Sequence, residues 1–125
     1  MIAVEVANRS GVPVHEAEAV DLARRVLEGE GIEDGELGLH FVDLAEMRTL
    51  KRAHLGQDEV TDALSFPLDG RERLRPGPPR QLGDAVLCPQ VVGEAWRAPL
   101  VHALLHLVGY DHGIEMEASE ARWTG

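Results

Sequence analysis

One cysteine, Cys88, is the whole thiol content of this 125-residue chain. An internal disulfide is therefore excluded, and nothing points to an oxidising compartment. Cys88 lies in an apolar run and reads as a small buried core residue. No apolar stretch reaches the roughly 20 residues that a membrane-crossing helix needs. The N-terminus, MIAVEVANRS, lacks a basic segment followed by a long apolar one, so no signal peptide is expected. These absences point to a cytoplasmic protein with no membrane partner. Positive charge is scarce too: 12 Lys and Arg stand against 22 Asp and Glu, a net charge of −10. That excludes a non-specific nucleic-acid coat, which needs a broadly basic surface. Seven of the twelve basic residues nevertheless fall between Arg48 and Arg80, so a polyanion would have to bind that middle region.

The length suits one domain, residues 1–125, with a single core. Ile2, Val4 and Val6 alternate with Ala3, Glu5 and Ala7, which predicts a strand with one buried face. Ala19, Leu22, Ala23, Val26 and Leu27 recur at helical spacing within 14–28, and Gly29 and Gly31 stop that element. A second strand follows over 36–42, where His40 falls on the polar face and carries no role. Asp43 and Glu46 resemble a capping box ahead of a helix to about Ala53, with Leu44, Met47 and Leu50 inward. Residues 61–67 and 82–88 read as a third and a fourth strand, paired as a hairpin across the Pro-, Gly- and Arg-rich loop 68–81. Short helices are expected over 89–96 and 114–123. The fold class is α+β (mixed α/β): one small mixed four-stranded sheet with helices packed on it.

The chemistry concentrates in PLVHALLHLVGYDH, residues 99–112. His102 and His106 are four apart, which on a helix puts both imidazoles on one face, about a turn apart. Leu100, Val101, Leu104, Leu105, Leu107 and Val108 surround them, so the helix belongs in the core. Pro99 suits its first turn and Gly109 its end. The chain then turns and brings His112 past the open end of the helix. Three imidazoles suit zinc or a similar divalent ion, and three protein ligands leave a fourth position for water, as in catalytic sites.

The spacing His102-x3-His106-x2-Gly109-x2-His112 is similar to the zinc motif of metzincin proteases. Those enzymes carry a glutamate base directly after the first histidine; here that residue is Ala103, so a contribution of ~10²–10⁴-fold to peptide hydrolysis is missing. Such an ion still polarises phosphoryl oxygens and lowers the pKa of bound water. Arg48, Lys51 and Arg52, with Arg71, Arg73, Arg75 and Arg80 in the loop, are candidates to contact an anionic substrate, Arg48 and Arg52 foremost. Asp84 and Asp111 are candidates to orient ligand histidines.

VHALLHLVGYDH, preceded in order by TDALSFP and LGDAVL, closely resembles the YbeY family of bacterial metal-dependent endoribonucleases, from about Phe41 to Trp123. The resemblance implies a single-strand-specific endoribonuclease that matures the 3′ end of 16S rRNA and takes part in late 70S ribosome quality control. It also implies one divalent ion, zinc or a similar one, on His102, His106 and His112, and partners in single-stranded rRNA and ribosomal subunits. The chain departs from the family pattern in three places. A usual Tyr-Arg-Gly stretch is His54-Leu55-Gly56, the glycine after the first histidine is Ala103, and the segment between Ala95 and His102 is short. Leucine cannot contact phosphate. Either another arginine such as Arg52 or Arg48 replaces that group, or the chain is a catalytically weakened ribosome-assembly binding protein that retains the metal site.

Overall fold

The computed structural model describes residues 1–59, 61–69, 80–110 and 113–124. In chain order its elements are β1 (Ile2–Asn8), α1 (Glu16–Gly29), β2 (Gly35–Phe41), α2 (Leu44–Leu55), β3 (Ala63–Pro67), β4 (Gln81–Leu87), the single turn α3 (Pro89–Val92), α4 (Arg97–Leu107) and α5 (Ile114–Thr124). The sheet order is β1-β2-β4-β3. β1, β2 and β4 run parallel, and β3 pairs antiparallel with β4. This is the expected mixed four-stranded sheet, including the hairpin pairing of the third and fourth strands. Parallel neighbours need a crossover, and α1 supplies it between β1 and β2.

Side chains alternate across the strands, so each face of the sheet has its own partners. Leu37, Leu39, Phe41, Ala85 and Leu87 face a core that α1 and α4 close. All five apolar positions read from the α1 pattern are buried in it, as are Leu100, Val101, Leu104, Leu105, Leu107 and Val108 around the histidine pair. Leu64, Val86 and the partly buried Phe66 face the other way, against Met47 and Leu50 of α2. Cys88 is buried there as well, and burial pushes its thiol pKa up.

Local chemistry explains the boundaries. The Asp43 carboxylate accepts from Glu46 N–H at 2.7 Å and starts α2. Glu46 does not reach back to complete a capping box; it pairs with Arg9 at 2.8 Å instead. Leu44, expected inward, is 46% exposed because it occupies the first helical position, ahead of the turn that meets the sheet. The helix expected over 89–96 is one turn, ended at Gly93 with φ +54°. Gly83 has φ +123°, and a Cβ there would run into the Phe66 carbonyl oxygen. It sits where the β2–β4 register shifts, a bulge that only glycine fits.

Candidate metal centre and its cleft

α4 begins two residues before Pro99, which stands within the first turn where backbone N–H groups have no helical partner. Its other end is a Schellman turn: Gly109 N–H donates to the His106 carbonyl and Tyr110 N–H to the Leu105 carbonyl, both at 3.1 Å. Gly109 adopts φ +98° to allow it. The Tyr110 carbonyl is thereby folded back toward the preceding turn. That orientation matters, because His106 Nδ1 lies 2.9 Å from this oxygen.

His102 and His106 do share one face of α4. Their rings stand edge to face with centroids 4.7 Å apart and with the two Nε2 atoms 3.1 Å apart. His102 Nδ1 lies 2.5 Å from Glu120 Oε1 of α5. A carbonyl and a carboxylate can only accept, so both Nδ1 atoms carry the hydrogen. In neutral rings both Nε2 atoms then present lone pairs to one another. Two lone pairs facing one another repel, and a cation between them suits that arrangement. Two nitrogens each about 2.0–2.1 Å from a tetrahedral zinc ion lie about 3.3 Å apart. The donor set, its spacing and its outer partners fit a divalent metal.

The expected third ligand, His112, lies outside the described residues, as do Asp111, Arg71, Arg73 and Arg75. Among the described residues no group of three His, Cys, Asp or Glu converges on a metal position. Asp84, a candidate to orient a ligand histidine, turns to the opposite side of the sheet, where it binds His40 Nε2 at 2.8 Å. Glu120 and the Tyr110 carbonyl hold the His102 and His106 rings instead. Glu120 is held indirectly: Tyr110 Oη and Trp123 Nε1 donate to the Glu30 carboxylate at 2.7 and 3.1 Å, and Ser119 donates to Tyr110 Oη at 3.0 Å. These bonds tie α5 to the end of α1. Tyr110 was already inside the motif, but only as a side chain. Nothing local in the sequence marks Glu120, eighteen residues beyond His102.

The histidines open on a cleft of about 740 Å³ between α4, β3 and the C-terminal end of α2. Ala103 lines it next to His102, so no carboxylate stands where a metzincin base would. Arg48 and Arg52 are not among the described lining residues. Arg48 forms a two-bond pair with Asp58 at 2.7 and 3.1 Å, and Arg52 approaches the same carboxylate at 3.9 Å. The Arg48 hydrogen bond holds the Asp58 carboxyl below its usual pKa. Arg80 stands just before β4, its carbonyl accepting from Glu36 N–H at 2.8 Å, and is also absent from the lining. Lys51 is the cation that α2 delivers to the cleft, beside Leu55, which is 55% exposed.

Residues 5–123 match the sequence model of a family described as endoribonuclease YbeY. The chain belongs to the YbeY family. Proteins named endoribonuclease YbeY include one from Acidothermus cellulolyticus, 40% identical over 134 residues that cover 90% of this chain and 80% of that one. One from Beutenbergia cavernae is 38% identical, covering 95% and 89%, and one from Mycobacterium ulcerans is 35% identical, covering 95% and 76%. In three dimensions the chain is similar to the solution structure of TM1509 from Thermotoga maritima, at TM-score 0.57 and 25% identity, over 98% of this chain and 86% of that one. Membership in the YbeY family supports an endoribonuclease role, with RNA as the substrate class. No helix among the described residues is long and apolar enough to cross a membrane.

Proposed function

We propose that this protein is a single-strand-specific metallo-endoribonuclease, acting in the cytoplasm on the 3′ end of 16S rRNA and in late 70S ribosome quality control. The observation that carries the reading is the opposed Nε2 pair of His102 and His106, with both Nδ1 hydrogens committed to Glu120 and Tyr110. His102, His106 and His112 would hold one divalent ion, zinc. When bound, the ion supplies Lewis acidity toward a phosphoryl oxygen and lowers the pKa of water.

The chain's own residues do the rest. Glu120 and the Tyr110 carbonyl keep the proton on each Nδ1, so the ligand nitrogens stay available and aimed. Leu55 and Ala63 form an apolar wall against which unstacked bases can lie, while Thr61 and Ser65 offer hydroxyls to sugar or phosphate. An unpaired strand suits such a site because its bases are free to leave the stack. Ala103 leaves the position of a protease base without a proton acceptor, which favours phosphodiesters over peptides.

The experiment combines metal content with cleavage of single-stranded and duplex RNA, on wild type and His106→Ala. Purified wild type should carry about one divalent ion per chain and cut the single strand. His106→Ala should do neither. Metal-loaded wild type that leaves single-stranded rRNA fragments intact would overturn the nuclease reading, and retained RNA binding would then favour the ribosome-assembly binding protein.

A further inference from the structure

We infer that Lys51 is the substrate-phosphate contact on the α2 side of the cleft, and that Glu59 competes with the substrate for it. The inference rests on the nuclease reading and names a residue through which it would recognise its substrate. Among the described lining residues Lys51 is the one permanent cation. Arg48 and Arg52, its neighbours on α2, are committed to Asp58 on the outer side of the helix. Lys51 lies one helical turn before Leu55, on the same helix face, and both line the cleft with His102 and His106.

Electrostatics require a cation there. α2 brings its C-terminal end, the negative end of its dipole, to the cleft. Asp69 adds a carboxylate to the wall, its Oδ2 accepting from Gln81 N–H at 2.7 Å. Among the described lining residues, Lys51 is the permanent positive charge that offsets this potential toward a phosphodiester. The Lys51 side chain is only 13% exposed, so its stem is packed and its ammonium is already positioned, which lowers the entropic cost of holding an anion. Its present partner is Glu59 Oε1 at 2.7 Å, on the loop between α2 and β3. Glu59 is 60% exposed, and a carboxylate on a solvent-facing loop is easily exchanged for a phosphate oxygen.

The test measures binding of a short fluorescein-labelled single-stranded RNA across a salt series, and steady-state cleavage of the same RNA, for wild type, Lys51→Gln, Lys51→Arg and Glu59→Gln. Removing one phosphate contact to a single strand lowers the slope of log affinity against log salt by about 0.7. Lys51→Gln should show that loss, with KM raised about tenfold and kcat changed less. Lys51→Arg should keep the wild-type slope. Glu59→Gln should bind several-fold more tightly, because the competitor is gone. An unchanged slope in Lys51→Gln, or weaker binding in Glu59→Gln, overturns the inference; the latter would mean that the pair only braces the loop. Thermal melts of all four proteins show whether they fold alike, and Glu59→Gln carries the test if Lys51→Gln does not fold: tighter binding upholds the inference, and unchanged or weaker binding overturns it. A Lys51-dependent slope in a protein that binds but never cuts RNA would uphold Lys51 and sink the nuclease reading alone.

Discussion

Two of the histidine–carboxylate pairs among the described residues, His40–Asp84 and His102–Glu120, lie on opposite sides of the sheet, and they differ in what the second ring nitrogen meets. At His40 the ring is closed on both sides: Nε2 faces Asp84 at 2.8 Å and Nδ1 lies 3.3 Å from Arg9 Nη1, which in turn pairs with Glu46. At His102 one nitrogen faces Glu120, and the other faces the nitrogen of a second imidazole. The first arrangement has its hydrogen bonds satisfied and works as a strut between β2, β4 and the end of β1. The second has two like acceptors aimed at one point, the arrangement that the proposed divalent ion would resolve. A histidine beside a carboxylate is thus no sign of a site; the partner of its other nitrogen decides.

The largest effect that sharpens this contrast comes from His106→Ala. It should abolish metal retention and RNA cleavage while His40→Ala leaves both intact, measured by metal analysis and a cleavage assay. Next is Glu120→Gln, which removes the carboxylate acceptor behind His102. Metal affinity should fall by about 10–100-fold, the usual cost of losing an outer-shell partner. Asp84→Asn, the matching change at the strut, should leave metal affinity alone and cost no more than about 1 kcal/mol of stability in a thermal melt. If both carboxylate changes weakened metal binding equally, the distinction would be lost.

Gly83→Ala attacks the strut through the backbone, since φ +123° and the Phe66 carbonyl both resist a Cβ. Destabilisation of about 1–3 kcal/mol is expected, with the metal affinity of the folded protein unchanged. Smallest of all should be the response of Cys88 to thiol reagents. Burial raises its pKa, so at neutral pH it stays protonated and covered, and labelling should wait for unfolding. Fast labelling of the native protein would place Cys88 at the surface.

Much of this was legible in the residues. The α1 stripe, the glycine stops, the β3–β4 hairpin and the apolar collar of α4 follow from periodicity and turn chemistry, because each involves neighbours in sequence. The spacing of His102 and His106 gave their shared face for the same reason. Strand order was harder to read: β4 inserts between β2 and β3, and β1 pairs with β2 across a helix, both non-local choices. Glu120 and the Tyr110 carbonyl also escaped, since one arrives through the docking of α5 and the other is a backbone group aimed by a Schellman turn. Asp84, a candidate to orient a ligand histidine, meets His40 instead. The β2–β4 register sets it beside Gly38, where a Cβ would strike the Asp84 carboxylate, and that room lets it reach His40. Within the basic stretch of α2 the sequence favours Arg48 and Arg52 as substrate contacts, but packing puts Lys51 in the cleft and Arg48 and Arg52 on Asp58.

Zinc titration into metal-free protein, followed by calorimetry on wild type, His106→Ala and His40→Ala, tests the opposed-imidazole centre most directly. The account expects a single tight site in wild type and His40→Ala and none in His106→Ala. Undiminished binding by His106→Ala, or loss of binding in His40→Ala alone, would contradict it.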